Sequence, residues 1–135
     1  MDHLSKKKRS ENMAAIKGSD THPEMAVRSA AHRLGYRYRL HRRDLPGKPD
    51  LVFPAKYAVI FVHGCFWHQH NSQHCKARPP KSNTDYWGPK LQRNVERDRR
   101  NVRDLKRLGW RVLVVWECQV RDLSELKQKL TAFLG

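Results

Sequence analysis

Between Val59 and Cys75 the chain reads VIFVHGCFWHQHNSQHC, four apolar residues running straight into His63, Cys65, Phe66, Trp67, His68, His70, His74 and Cys75. All three cysteines lie in or after this stretch, the third being Cys118 at the far end of another apolar run. His70 falls midway between the first two, as Cys65-x4-His70-x4-Cys75. Three thiolates and one imidazole make a closed tetrahedral zinc site, which has no open position and so holds structure rather than doing chemistry. His68 or His74 could take the place of His70. The plainer alternative is that cysteines at strand ends are small hydrophobes.

A second group has different chemistry. Asp50 follows Pro49 at the start of an apolar run, and the turn near Pro54–Lys56 folds the next run, Tyr57 to Val62, back along it. If residues 53 and 58 pair, Asp50 lies opposite about Phe61, a residue or two from Val62 and His63. One carboxylate, a backbone carbonyl, water and a phosphate oxygen are what Mg²⁺ accepts, and imidazoles at hand suit proton transfer near neutrality. Alone, an Asp after Pro is also a common turn residue.

The elements that must carry these residues are legible from pattern. Thr21 caps a helix over about 21–35 with Pro23 in its first turn and Glu24 near its positive end; Met25, Ala26, Ser29, Ala30, His32 or Arg33, and Leu34 form a loose apolar face, and Gly35 stops it. YRYRLHR alternates Tyr36, Tyr38 and Leu40 with Arg37, Arg39 and His41, the period of a half-buried strand. LVFP and YAVIFV read as a hairpin. KARPPKSNTDYWGP reads as a long loop, and a helix follows from about Leu91 to Leu108, ended by Gly109. WRVLVVWE reads as a strand buried on both faces. LSELKQKLTAFL closes the chain as an amphipathic helix with Ser124 as its cap. Helix, three strands, helix, strand, helix is the order of an α/β domain with a mixed central sheet flanked by helices. Residues 1–20, with KKKR at 6–9, are expected to be a basic arm, and 21–135 a single domain.

Charge narrows the function. Twenty-eight Lys and Arg against 13 Asp and Glu give +15 and a pI near 10.3, a field that draws polyanions and releases counterions from a phosphate backbone. From Lys90 to Arg107 alone there are eight basic and three acidic residues. No apolar stretch reaches the ~20 residues that span a bilayer, and MDHLSKKKRSEN lacks the apolar core of a secretory signal, so a reducing, intracellular setting is expected.

Four blocks, PGKPDLVF, FVHGCFWHQH, DYWGPKLQRNVERDR and LGWRVLVVWEC, in this order, resemble the very-short-patch mismatch repair (Vsr) endonucleases, over about residues 8 to 120. The resemblance implies a restriction-endonuclease-like three-layer fold with a structural zinc site. It also implies Mg²⁺-dependent nicking of DNA on the 5′ side of the thymine in a T:G mismatch left by deamination of 5-methylcytosine. On this likeness Asp50 holds the Mg²⁺ with the main-chain oxygen of Val62, His63 and His68 sit at the scissile phosphate, and Glu24 acts through water. Cys65, His70, Cys75 and Cys118 hold zinc, with His74 open as an alternative. Phe66, Trp67 and Trp87 form the aromatic wedge that enters the base stack, Lys90 and Asn94 face the bases, and Met13 reaches the DNA from the arm. The lysine that many restriction-type nucleases carry is replaced here by Val62-His63, and Val62 stands where some members have threonine. The implied partner is double-stranded DNA with a T:G mismatch, bound by a monomeric, cytoplasmic, bacterial protein; a functional link to a cytosine-5 methyltransferase and to mismatch-repair proteins is open.

Physical reasons favour the wedge. Paired exposed aromatics are costly unless covered, and inserting them between base steps costs a few kcal/mol that a mismatch reduces. A zinc-stabilised DNA-binding module without catalysis, or a nickase of another specificity, are the alternative readings, and Asp50 separates the first of them from an enzyme.

Overall fold

The computed structural model describes residues 21–65 and 84–135, with side chains from Gly88 onward in the second stretch. Helix α1 (His22–Arg33) leads to β1 (Arg39–Leu40), β2 (Leu51–Phe53), a single 3-10 turn (Pro54–Lys56) and β3 (Ala58–His63). A long helix α2 (Thr84–Arg107), strand β4 (Arg111–Trp116), a second 3-10 turn (Glu117–Arg121) and helix α3 (Leu123–Leu134) complete the chain. The sheet is mixed, in the order β1-β2-β3-β4, with β3 and β4 parallel and the other pairs antiparallel. An antiparallel meander needs only tight turns, whereas a parallel pair needs a crossover connection, and the segment carrying α2 supplies it.

Alternation along β3 divides the core. Ala58 and Ile60 pack with Val27 and Ala31 of α1 and with Leu126, Leu130 and Leu134 of α3, while Val59 and Phe61 pack with Leu105 of α2 and with Leu45. Helices therefore cover both faces of the sheet. Each large side chain so buried contributes roughly 1.5–3 kcal/mol relative to exposure.

The hairpin register is the one on which the Asp50 argument rested: Phe53 pairs with Ala58, Val52 with Val59 and Leu51 with Ile60, so Asp50 comes next, opposite Phe61. Thr21 caps α1 by accepting from the Glu24 N–H at 3.4 Å. Other local expectations are corrected. The buried face of α1 is Glu24, Val27, Ala30 and Ala31, whereas Met25 and Leu34 are exposed; the helix docks through small residues because a sheet and α3 both press on it. The expected first strand shrinks to Arg39–Leu40, both exposed, with Tyr36 and Tyr38 instead packing edge-on against Phe53 from irregular chain.

Helix α2 begins at Thr84, seven residues before the position expected, running through Pro89. A proline that close to the N-terminus forfeits one intrahelical bond, and Leu91 and Leu105, both buried, anchor the helix beyond it. Strand β4 is not buried on both faces: it is the sheet edge, and only Val115 along it is fully covered. Asp122, not Ser124, caps α3, accepting from the Glu125 N–H at 3.1 Å. The basic arm (residues 1–20) lies outside the described residues.

One turn ties the start of β2 to α2. Gly47 has φ +75°, and a Cβ there would stand 2.8 Å from Asn101 Nδ2. Gly47→Ala meets both left-handed strain and a clash, together roughly 2–4 kcal/mol. A urea melt should show a loss of that size; a loss below about 1 kcal/mol would mean that the turn shifts freely and does not brace Asp50.

Candidate metal centre

The site begins with a buried acid. Glu24 lies in the first turn of α1, only 2% exposed, and forms an ion pair with Arg28 one helical turn later. A carboxylate at a helix N-terminus is favoured by the dipole, and Arg28 supplies the charge that burial would otherwise leave uncompensated. Across the sheet edge, Asp50 closes the ladder at the start of β2. Its Oδ2 accepts the Val62 N–H at 2.6 Å, so the side chain takes the place of a strand partner for β3. Burial, then hydrogen bonding to Glu24, push the Asp50 carboxyl up to about 8, against the Val62 N–H and the more distant Arg28, which favour the charged form.

His41 joins the two acids. It follows β1, donates its N–H to the Asp50 carbonyl at 3.4 Å, and has φ +49°, a left-handed conformation uncommon outside glycine. Its Nε2 lies 3.3 Å from Glu24 Oε2 and 3.1 Å from Arg28 Nη2, and its Nδ1 lies 3.9 Å from Asp50 Oδ1. One donor atom from each of Glu24, His41 and Asp50 falls within 4.8 Å of the others. Two carboxylates and an imidazole converging on so small a volume suit a divalent cation: burial raises the Asp50 carboxyl most, the adjoining Glu24 raises it further, and a cation would offset both.

The structure brings Asp50 and Glu24 together and sets Val62 beside them. His63 is elsewhere on the strand end: 6% exposed, it faces the α2 layer with its ring 5.6 Å from Phe61 and 5.2 Å from Trp116. There it borders a cavity of ≈ 730 Å³ floored by Val102, Val114 and Trp116 and rimmed by Arg99, Arg103 and Arg107. Those three arginines recur every four residues, one row along the helix. Lys90 and Asn94 lie one turn apart near the start of α2, both half-buried, with Asn94 Oδ1 accepting from Arg97 at 3.0 Å.

Cys65 is buried just beyond β3 and Cys118 lies in the turn after β4. His63 pairs with Trp116 as the last rung of the parallel ladder, so Cys65 and Cys118 each follow the end of one of two adjacent strands by two residues. Met13, Phe66, Trp67, His68, His70, His74 and Cys75 lie outside the described residues, as does the side chain of Trp87.

Reading from sequence missed Arg28 and His41. The Glu24/Arg28 spacing of four was an available signal. His41 reads in sequence as the outward member of an alternating strand, and nothing local announces that the chain leaves the strand there in a left-handed turn.

Fold and site together define an α/β protein with a metal-capable acidic centre at one end of a mixed sheet, in a strongly basic chain. The chain belongs to the Vsr family: the family model described as DNA mismatch endonuclease Vsr matches residues 1–75. Over 134 residues it is 49% identical to the type II nicking enzyme V.XorIIP of Xanthomonas oryzae pv. oryzae, covering 98% of this chain and 96% of that one. It is 45% identical over 126 residues to the DNA mismatch endonuclease Vsr of Escherichia coli, covering 93% and 79%. With the type II nicking enzyme V.NaeI of Lentzea aerocolonigenes the identity is 50% over 114 residues, covering 81% and 67%. No helix among the described residues is long and apolar enough to cross a membrane.

Proposed function

We propose that this chain is a Mg²⁺-dependent DNA endonuclease that nicks one strand 5′ of the thymine in T:G mismatches arising from 5-methylcytosine deamination. The observation that carries the reading is the pairing of Asp50 with Glu24 against the end of β3 in a member of the Vsr family. The names of the relatives, mismatch endonuclease and nicking enzyme, support hydrolysis of one strand.

Asp50 and the Val62 carbonyl would hold the ion. In an extended strand a residue's N–H and C=O leave toward the same neighbour, so the Val62 N–H donated to Asp50 turns its carbonyl to that side too. With Mg²⁺ held there by Asp50 and the Val62 carbonyl, the site would supply Lewis-acid stabilisation of charge on the phosphate and on the leaving 3′ oxygen. Water attacks phosphorus as the P–O3′ bond breaks, and His63 and His68 handle the protons, one from the water and one to the leaving oxygen. A DNA backbone crossing the ends of β2 and β3 meets Asp50 on one side of the strand end and His63 on the other. Glu24 orders water around the ion.

The remaining roles follow the same reading. Zinc held by Cys65, His70, Cys75 and Cys118 would tether the segment after β3, with His74 as the alternative imidazole; that Cys65 and Cys118 follow the ends of two paired parallel strands supports two of those ligands. Phe66, Trp67 and Trp87 enter the stack beside the mismatch, Lys90 and Asn94 read the bases, and Met13 approaches from the arm. The arginine row of α2 follows the phosphates. The protein works as a monomer in the bacterial cytoplasm.

A labelled duplex carrying T:G and its matched C:G twin, each incubated with Mg²⁺, tests this. A single nick 5′ of the mismatched T, absent from the twin, is expected. Cutting of both duplexes would remove the mismatch specificity, and tight binding with no cut would make the chain a zinc-stabilised binding module.

A further inference from the structure

We infer that His41 is itself a ligand of the divalent ion, making the catalytic centre a mixed site of carboxylate oxygen and imidazole nitrogen; this rests on the metal-dependent reading above. The imidazole is placed for it from three directions. Its backbone is fixed by the bond to the Asp50 carbonyl and by the left-handed turn at φ +49°, which carries the ring off the line of β1. Its two nitrogens lie 3.3 Å from a Glu24 oxygen and 3.9 Å from an Asp50 oxygen, between the two acids. And its donor atom belongs to the one group of three His, Cys, Asp or Glu residues, among the described residues, whose ligand atoms converge within 4.8 Å.

The surroundings say what cation such a set takes. Arg28 pairs with Glu24 and lies 3.1 Å from His41 Nε2, so a metal ion entering here would have to displace the guanidinium from the imidazole. A guanidinium donates hydrogen bonds but cannot accept a lone pair, whereas a metal ion accepts those of Asp50 and the imidazole at once, with Glu24 reached through water. Oxygen donors alone favour Mg²⁺; one nitrogen donor raises affinity for ions later in the first transition row relative to Mg²⁺. The site should therefore bind Mn²⁺ more tightly than Mg²⁺, and His41 should be the residue that makes the difference.

The test uses the full-length, zinc-loaded chain with Mn²⁺ as probe, its affinity measured by calorimetry and its ligands by electron spin-echo envelope modulation. Variants are His41→Asn, chosen because Asn tolerates a left-handed backbone, His41→Gln, and Asp50→Asn. Wild type should show ¹⁴N modulation from a directly bound imidazole, lost in both His41 variants. Loss of a ligand should weaken Mn²⁺ binding at least as much as loss of an outer-shell partner, roughly 10–100-fold, with a smaller effect on Mg²⁺. If His41 only positions Glu24, ¹⁴N modulation will be absent from wild type, or unchanged in the variants, or Mn²⁺ and Mg²⁺ will weaken equally; each result overturns the assignment while Asp50→Asn still loses the ion. If wild type binds no Mn²⁺, or Asp50→Asn binds it as well as wild type does, the metal-dependent reading falls and His41 with it.

Discussion

Asp50→Asn should abolish nicking, by roughly 10³-fold or more, while mismatched DNA binds within a few-fold of wild type. The asymmetry follows from where the carboxyl sits. Asn keeps an oxygen for the Val62 N–H, so the end of the β2–β3 hairpin keeps its closing hydrogen bond. It removes the negative charge that a cation needs, and the arginine row of α2, proposed above to follow the phosphates, is untouched. The substitution should also leave the protein no less stable. Burial and Glu24 push the Asp50 carboxyl up to about 8 in the folded protein, whereas unfolding returns it to about 3.9. A carboxyl whose folded pKa is raised contributes its full stability below the unfolded value and loses it as pH rises toward the folded one. Without divalent metal, the wild-type melting temperature should therefore fall between about pH 4 and pH 8 more steeply than that of Asp50→Asn. Because the cation displaces the same proton, its apparent affinity should climb over that interval and level off above it. Parallel melting curves for the two proteins would mean that Asp50 is an ordinary surface carboxylate, and equal nicking rates would remove it from the chemistry.

Removing structural zinc should be the other large effect. Cys118→Ala is expected to lose the one equivalent of zinc that elemental analysis should find in wild type, and to melt lower by on the order of 10 °C. The register argument makes Cys118 the informative position. Cys65 and Cys118 each lie two residues past the last paired rung of the parallel strands β3 and β4, so a metal that bridged them would tie the two strand exits together at the end where Asp50 and His63 reside. The core of this chain is not empty without it: two apolar clusters hold the sheet on both faces, so the variant should retain its secondary structure. Nicking should nevertheless fall, since His68 and the aromatic pair Phe66-Trp67 lie between the proposed zinc ligands Cys65 and His70 in sequence. A wild-type protein that is fully active and equally stable with no zinc bound would leave the cysteines as small apolar side chains.

How much was legible beforehand differs from element to element. Thr21-His-Pro-Glu24 announces a capped helix start whatever surrounds it, because the cap is satisfied by atoms three residues apart. The β2–β3 register was equally local: two apolar runs joined by a short turn leave few ways to pair, and the pairing of Phe53 with Ala58 placed Asp50 beside Val62. The start of α2 was not legible, because Pro89 and the polar residues before it look like loop when nothing shows that the turns beyond are anchored by Leu91 and Leu105. Nor was the burial of β4, since VLVVW reads alike in the middle of a sheet and at its edge.

By itself, then, the chain of residues determined the α/β order, the polyanion-seeking charge and the identity of Asp50 and Glu24 as acids at the starts of a strand and a helix, all properties of neighbouring residues or of summed composition. Only the tertiary structure decided that these two acids share one volume, that His41 turns between them and that His63 faces the other layer. Those facts depend on how α1, the end of β1 and the hairpin meet across residues 24 to 62. The distances that set a carboxyl near 8 or build a cation site are distances between elements, and no period within an element encodes them.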